Sequence, residues 1–244
     1  MKLDVLAIGV HPDDVELSCS GVLLMEKARG KKTGIVDLTH GELGTRGSAE
    51  TRDKESSDSA KILGVEIREN LGMADGFFEI NQENKMKVIR AIRRYQPNVI
   101  LCNSIDDRHP DHGRAAKLVE DAAFLSGLRK IETTDEGKTQ QAWRPAYVLH
   151  YLQDYYYTPS FVVDISDVID QKVEAIKCYK SQFFSDDYKN NEPQTYISTP
   201  QFLNTIIGRS AEFGHLIGVK HAEAFVTRKM VGLNNLDSLI QKTT

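Results

Sequence analysis

A doubly wound α/β fold, with a mostly parallel sheet and helices on both faces, is what this sequence predicts, and three observations carry the prediction. Short apolar runs recur along the chain, each followed by a stretch of helical spacing. No Pro-, Gly- or Ser-rich linker divides the 244 residues, a length within the range of one α/β domain. Two of the apolar runs also end alike. Leu3 to Val10 stops at His11-Pro-Asp-Asp14, and Val99 to Cys102 leads through a short loop to His109-Pro-Asp-His112. In a Rossmann-like sheet the C-terminal ends of parallel strands share one edge, where ligands bind. The two loops are therefore expected to meet.

The elements follow in order. After the first strand, Asp13 or Asp14 can cap a helix that runs to about Arg29 and stops at Gly30. Thr33 to Thr39 is a second buried strand, followed by the Gly-rich loop His40 to Gly47. Ser48 is a good N-cap for a helix from Ala49 to Leu63, which Gly64 ends; Thr51 rather than an acid stands at the third position, so no capping box forms. Val65 to Leu71 reads as a short strand and Glu83 to Tyr95 as an amphipathic helix closed by Pro97. Strand Asn98 to Cys102 and a helix from about Asp111 to Leu125 complete the second unit. A polar surface excursion is expected over Lys130 to Arg144, then strands Ala146 to Leu152 and Ser160 to Ile165. Helices are expected over Asp167 to Tyr179 and Pro200 to Ile217, with a long polar and aromatic loop, Gln182 to Thr199, between them. A last strand, His221 to Val226, precedes a tail. The expected organisation is one domain over 1–229 and a tail over 230–244.

Composition narrows the function classes. A net charge of -4, with no basic stripe, gives no footprint for nucleic acid or an anionic membrane. The apolar runs are too short to span a bilayer, and acids interrupt the N-terminal segment, so the chain is expected to be cytoplasmic. Three cysteines, Cys19, Cys102 and Cys178, have no C-x-x-C spacing and point neither to a disulfide framework nor to a thiolate metal site. The turn after the first strand lacks Gly-x-Gly-x-x-Gly, so a dinucleotide role has no phosphate cradle. A non-catalytic sugar-binding α/β domain stays open at this level.

The paired motifs carry the chemistry. His11 and Asp14 from one corner, with His112 from the other, supply two imidazoles and a carboxylate, a three-ligand set that holds catalytic zinc and leaves a position for water. A lone His-x-x-Asp would more readily cap a helix or form a salt bridge; two His-Pro-Asp motifs at strand ends favour the metal. Asp13 is then available as the base that takes a proton from water. His109 and Asp111 read as a pair in which the carboxylate supports an imidazolium that protonates a leaving amine or holds an oxyanion. Arg52, just beyond the Gly-rich loop, can reach a substrate hydroxyl or carboxylate, or instead pair with Glu55. His150, inside a strand pattern, reads as a satisfied core histidine.

These residues together resemble a known family. His11-Pro-Asp-Asp14, Asp37-Leu-Thr-His-Gly-Glu42, Ala49-Glu-Thr-Arg52, His109-Pro-Asp-His112, and Gly208-Arg209 with Gly214, Gly218 and Ala222-Glu-Ala-Phe225 are similar to the LmbE-like (PIG-L) zinc-dependent N-deacetylases. The resemblance covers Leu3 to about Lys229. It implies Zn2+ on His11, Asp14 and His112, Asp13 as general base, His109 supported by Asp111 as the electrophilic or acid partner, and Arg52 as a sugar contact. The Gly41 to Gly47 loop resembles the branch of the family that deacetylates N-acetylglucosaminyl malate in bacillithiol biosynthesis. That implies a small glucosaminide substrate, whose malate carboxylates Arg46 and Arg108 can meet unless they only pair with Glu42, Glu50 or Asp107; the alternative is an amidase or deacetylase of the same fold acting on another sugar or a thiol conjugate. Related members carry a tyrosine where Phe202 stands here, and Tyr196 is the candidate replacement. The tyrosine-rich segment Asp154 to Pro159 and the tail leucines, with Ile240, point to a homo-oligomer, and the resemblance leans toward a hexamer.

Overall fold

A computed structural model describes residues 1–185 and 192–239. Its core is one seven-stranded sheet built from β1 (Val5–Gly9), β2 (Thr33–Thr39), β3 (Ile67–Met73), β4 (Val99–Cys102), β7 (Tyr147–Tyr151), β8 (Phe161–Asp164) and β9 (Ala222–Val226), in the order β3-β2-β1-β4-β7-β9-β8. The strands from β3 through β7 in that order are parallel, and β9 runs antiparallel to both β7 and β8. The register sets Val5 beside both Thr33 and Val99, which brings the C-terminal ends of β1, β2 and β4 level with one another.

The alternation of side chains along β1 shows why both sheet faces are covered. Leu6 and Ile8 join a core under α4 (Gln82–Tyr95) and α5 (Pro110–Leu125), while Val5 and Ala7 face a second core formed with α1 (Asp14–Ser18), α2 (Ser20–Ala28), α3 (Ala49–Leu63) and α6 (Ile169–Lys177). Each fully buried aliphatic side chain of this kind contributes about 1.5–3 kcal/mol. Helix α7 (Pro200–Leu216) closes the β9 end, where Phe213 packs with Leu152, Ala222 and Ala224.

Several boundaries differ from the sequence expectation. The helix expected from Asp13 to Arg29 is two helices, because Cys19 leaves helical geometry at φ -143°. Asp13 occupies the N-cap position without capping anything through its side chain. The third strand begins at Ile67, two residues later than its apolar pattern suggests, and lies at the sheet edge. The polar excursion contains a small hairpin, β5 (Thr134–Asp135) with β6 (Lys138–Thr139). A 3-10 turn, Ser166–Val168, precedes α6, which stops at Lys177. The Ser48 cap is as expected: its hydroxyl accepts the Thr51 N–H at 3.2 Å. In the tail Leu233, Leu236 and Leu239 are exposed, as are Tyr155 and Tyr156, and Ile240 lies outside the described residues. Among the described residues no helix is long and apolar enough to cross a membrane.

Candidate active site

The crossover from β1 leads to β2 on one side and the crossover from β4 leads through α5 to β7 on the other, so a crevice opens at the C-terminal ends of β1 and β4. Both His-Pro-Asp loops enter that crevice. The His11 ring lies 4.8 Å from that of His109 and 5.8 Å from that of His112.

Asp14 is the centre of the site, although it starts a helix. Its Oδ2 accepts hydrogen bonds from the Val10 and His11 backbone N–H groups and from Asn103 Nδ2, all at 3.0 Å. Its Oδ1 accepts from Gln153 Nε2 at 3.0 Å. So fixed, the carboxylate faces two imidazoles. His112 Nε2 lies 3.2 Å from Oδ1, and His11 Nδ1 lies 3.7 Å from Oδ2. The opposite nitrogen of each ring is held by a carboxylate: His11 Nε2 by Asp75 Oδ1 at 2.9 Å, and His112 Nδ1 by Asp107 Oδ2 at 2.5 Å. When each ring keeps a single proton, the carboxylates of Asp75 and Asp107 behind the rings can hold it, and His11 Nδ1 and His112 Nε2 are then free to turn lone pairs toward a cation beside Asp14.

A carboxylate set against two lone pairs calls for a cation between them. Without a metal the proton fills that role. Burial works against a charged His112 ring, but Asp14 and Asp107 outweigh it and lift its pKa to about 10. Burial likewise opposes ionisation of Asp14, and the imidazoles of His112 and His11 outweigh it and hold the carboxyl well below its usual range. The donor set therefore fits a divalent ion, with each ring oriented by a carboxylate as in known zinc sites. Other groupings exist: ligand atoms of His11, His109 and His112 lie within 4.8 Å of one another, as do those of His11, Asp75 and Asp111. Asp75 and Asp111 are already engaged. Asp75 Oδ2 accepts the Leu43 N–H at 2.9 Å, and Asp111 accepts the Gly76 N–H at 2.8 Å and pairs with Arg114 at 2.5 Å.

Asp13 is buried beside this cluster with a backbone φ of 133°, a conformation rare outside glycine. Such strain, of order 1–3 kcal/mol, gathers at functional sites. Its Oδ2 accepts from Arg52 Nη2 at 3.2 Å. Burial raises the Asp13 carboxyl to about 7 against the opposing charge of Arg52. Arg52 is itself buried: Nη2 also donates to Gln182 Oε1 at 2.5 Å, and among the described residues its Nε has no hydrogen-bond partner. The alternative pair with Glu55 does not form, because Glu55 accepts the Ser181 N–H and hydroxyl instead. The loop needs Gly41, at φ 66°, since a Cβ there would collide with Arg52 Nη1.

The expected pairing of His109 with the Asp111 carboxylate is corrected. His109 caps α5, its Nδ1 accepting the Asp111 backbone N–H at 3.3 Å, while the Asp111 side chain turns to Arg114 and Gly76. Burial and the neighbouring His11 and His112 rings push the His109 pKa down. His109 is thus a neutral imidazole with its proton on Nε2, not an imidazolium backed by a carboxylate. Arg46, Arg108 and Tyr196 line the same cavity of about 600 Å3. Arg46 Nε donates to the Ser181 carbonyl at 2.9 Å, and Arg108 pairs with Asp154 at 2.5 Å and lies over the Tyr196 ring at 5.0 Å. Tyr196 is exposed at the mouth, edge-on to the buried Phe202. His150 is buried and satisfied, between the Asn103 carbonyl at 2.8 Å and Glu120 at 3.1 Å.

The sequence reading missed Asp75, Asn103, Asp107 and Gln153. Asp75, Asn103 and Gln153 each stand within two residues of a strand's C-terminal end, which is the signal that would have found them.

The chain is similar to several known proteins. The family model described as PIG-L, GlcNAc-PI de-N-acetylase, matches residues 6–123. The diacetylchitobiose deacetylase of Thermococcus kodakarensis is 29% identical over 233 residues, covering 90% of this chain and 80% of that protein. The crystal structure of a conserved protein from Thermus thermophilus superposes with a TM-score of 0.84 at 36% identity, covering 95% of this chain and 97% of that one. The 4-oxalmesaconate hydratase of Pseudomonas putida is 23% identical, over 72% of this chain and 73% of that protein. A hydratase among the relatives means that the reaction must be argued from the site rather than from the fold. On the family match, the relatives and the shared fold, the chain belongs to the PIG-L family of de-N-acetylase enzymes.

Proposed function

We propose that this enzyme is a zinc-dependent hydrolase that removes the N-acetyl group from a small N-acetylglucosaminide, with N-acetylglucosaminyl malate as the favoured substrate. The observation that carries the reading is the convergence of His11 Nδ1 and His112 Nε2 on Asp14, each ring held from behind by a carboxylate. The deacetylase of Thermococcus kodakarensis, named for diacetylchitobiose, supports an N-acetylated sugar.

His11, Asp14 and His112 would hold the ion. Bound there, zinc would supply Lewis-acid chemistry, polarising the amide carbonyl and lowering the pKa of a water toward about 7. Asp13 takes the water proton on its carboxylate and passes it to the amine nitrogen as the C–N bond breaks. Its buried position, with a carboxyl raised to about 7, suits both steps. Arg52 holds Asp13 from the side and keeps it aimed. His109, neutral, donates its Nε2–H to the developing oxyanion. Asp111 holds His109 through its backbone N–H. Arg46 and Arg108 at the rim meet the malate carboxylates, Arg108 by exchanging Asp154 for a substrate oxygen. Tyr196 closes over the sugar from the mouth. The exposed Tyr155, Tyr156, Leu233, Leu236 and Leu239 support assembly into a homo-oligomer, for which we propose a hexamer.

The test is acetate release from N-acetylglucosaminyl malate and from free N-acetylglucosamine, with and without chelator. Faster turnover of the malate glucosaminide, abolished by chelation, is expected. Equal rates on the two would defeat the malate assignment and leave the deacetylase standing.

A further inference from the structure

The turn that follows α6 reaches the catalytic base through a single amide. Tyr179 and Phe183, both buried, stand four residues apart, and the Phe183 N–H bonds back to the Tyr179 carbonyl at 2.9 Å. Their rings meet edge to face at 6.3 Å, and Phe183 stacks on Phe202 at 5.8 Å. Packed in this way, the turn sets Ser181 and Gln182, themselves buried, against the glycine-rich loop. Gly47, at φ 71°, stands so close that a Cβ there would lie 2.8 Å from Ser181 Oγ. Glu55 fixes Ser181 from α3, accepting its N–H at 2.8 Å and its hydroxyl at 2.6 Å.

Both polar atoms of the Gln182 side chain are engaged. Nε2 donates to the Arg46 carbonyl at 2.7 Å and to Ser181 Oγ at 2.9 Å, and Oε1 accepts from Arg52 Nη2 at 2.5 Å. The amide has one compatible orientation. Flipped, it would set its NH2 against a guanidinium, which only donates, and its oxygen against a carbonyl, which only accepts. Arg52 Nη2 has two hydrogens, and it bonds both to Gln182 and to Asp13 Oδ2, the latter at 3.2 Å. Gly41 closes the guanidinium on the Nη1 side, where a Cβ would collide with it. Among the described residues Arg52 Nε has no partner, so the two Nη2 bonds and the contact with Gly41 set the plane of the guanidinium.

Resting on the reading of Asp13 as the base, we infer that Gln182 is a positioning residue for the hydrolysis. Its NH2 group anchors it to the glycine-rich loop and to Ser181, its oxygen fixes Arg52, and Arg52 fixes Asp13. Without that oxygen the guanidinium keeps one Nη2 bond, to the carboxylate it is meant to aim, and the two swing together. Misplacing a catalytic group by about 1 Å costs on the order of 100-fold in rate. Gln182 acts on the chemistry from behind the base, and its loss therefore falls on kcat.

The experiment is a double-mutant cycle on the zinc-loaded full chain, with kcat and KM for acetate release from N-acetylglucosaminyl malate and from N-acetylglucosamine. Gln182→Met keeps the length of the side chain and removes its amide. It is expected to hold about one zinc per chain, to lower kcat by about 10- to 100-fold on both substrates and to move KM by about 2-fold or less. In an Arg52→Ala background the same change is expected to cost about 2-fold or less, because the group it acts through is gone. Gln182→Ala repeats the cycle should Gln182→Met fail to fold. A similar fold-loss in both backgrounds makes the role of Gln182 merely structural and overturns the inference, as does a folded variant with wild-type kcat. A loss confined to KM makes Gln182 a substrate contact and also overturns it. Those three outcomes leave the deacetylase standing; no acetate from either substrate with the wild type overturns both.

Discussion

Replacing Asp107 by Asn changes one atom, and the geometry makes that atom costly. Asp107 Oδ2 accepts His112 Nδ1–H at 2.5 Å, and Oδ1 accepts the backbone N–H groups of Asp154 at 2.9 Å and Tyr155 at 2.8 Å. Both oxygens face donors, so an amide has no compatible orientation. With its NH2 toward the backbone, two buried hydrogen bonds are lost. With its NH2 toward His112, the imidazole must accept at Nδ1 and move its own proton to Nε2, the nitrogen that faces Asp14. Either way the ligand set is damaged without touching a ligand. Loss of such an orienting partner costs about 10- to 100-fold in metal affinity, or about 1.4 to 2.7 kcal/mol. Competition against a chromophoric chelator at neutral pH measures the zinc dissociation constant of the variant, with circular dichroism to show that it folds. An unchanged constant in a folded variant would refute the assignment of His112 Nε2 as a metal-binding atom.

Three further outcomes are expected. Because Asp14 and Asp107 hold His112 protonated up to about 10 in the metal-free protein, zinc must expel that proton. Zinc affinity should therefore rise with pH by roughly tenfold per unit between about 6.5 and 10, and a flat titration would contradict it. Asp13 works as a base only when ionised, and burial lifts its carboxyl to about 7, so kcat/KM should fall as pH drops through and below that value. Asp13→Asn should keep its zinc, lose most of the rate and lose that acid limb; near-normal turnover in the variant would remove Asp13 from the mechanism. Light scattering across a dilution series should report the homo-oligomer, and a monomer throughout would rule it out.

The fold and the convergence of His11, Asp14 and His112 were legible because both rest on pattern. Repeated apolar runs followed by helical periods predict parallel strands with crossovers, and two His-Pro-Asp endings on such strands must share an edge. The residues that orient the ligands were not legible, because a single Asn103 or Gln153 after a strand looks like any loop residue until another strand is seen beside it. The His109–Asp111 pairing failed for a helical reason. Two residues apart in the first turn, their side chains point to different faces, and Asp111 finds Arg114 three residues on. Likewise the break at Cys19 leaves the helical spacing of apolar residues almost unchanged, so periodicity cannot reveal it.

The central claim is that His11, Asp14 and His112 hold one catalytic zinc. Its most direct test is elemental analysis of the purified protein and of His11→Ala, His112→Ala and His109→Ala, read together with acetate release. About one zinc per chain is expected in the wild type and in His109→Ala, with metal and activity both lost in His11→Ala and His112→Ala. An active, well-folded wild type without a transition metal would contradict the account, and loss of zinc in His109→Ala would place His109 among the ligands.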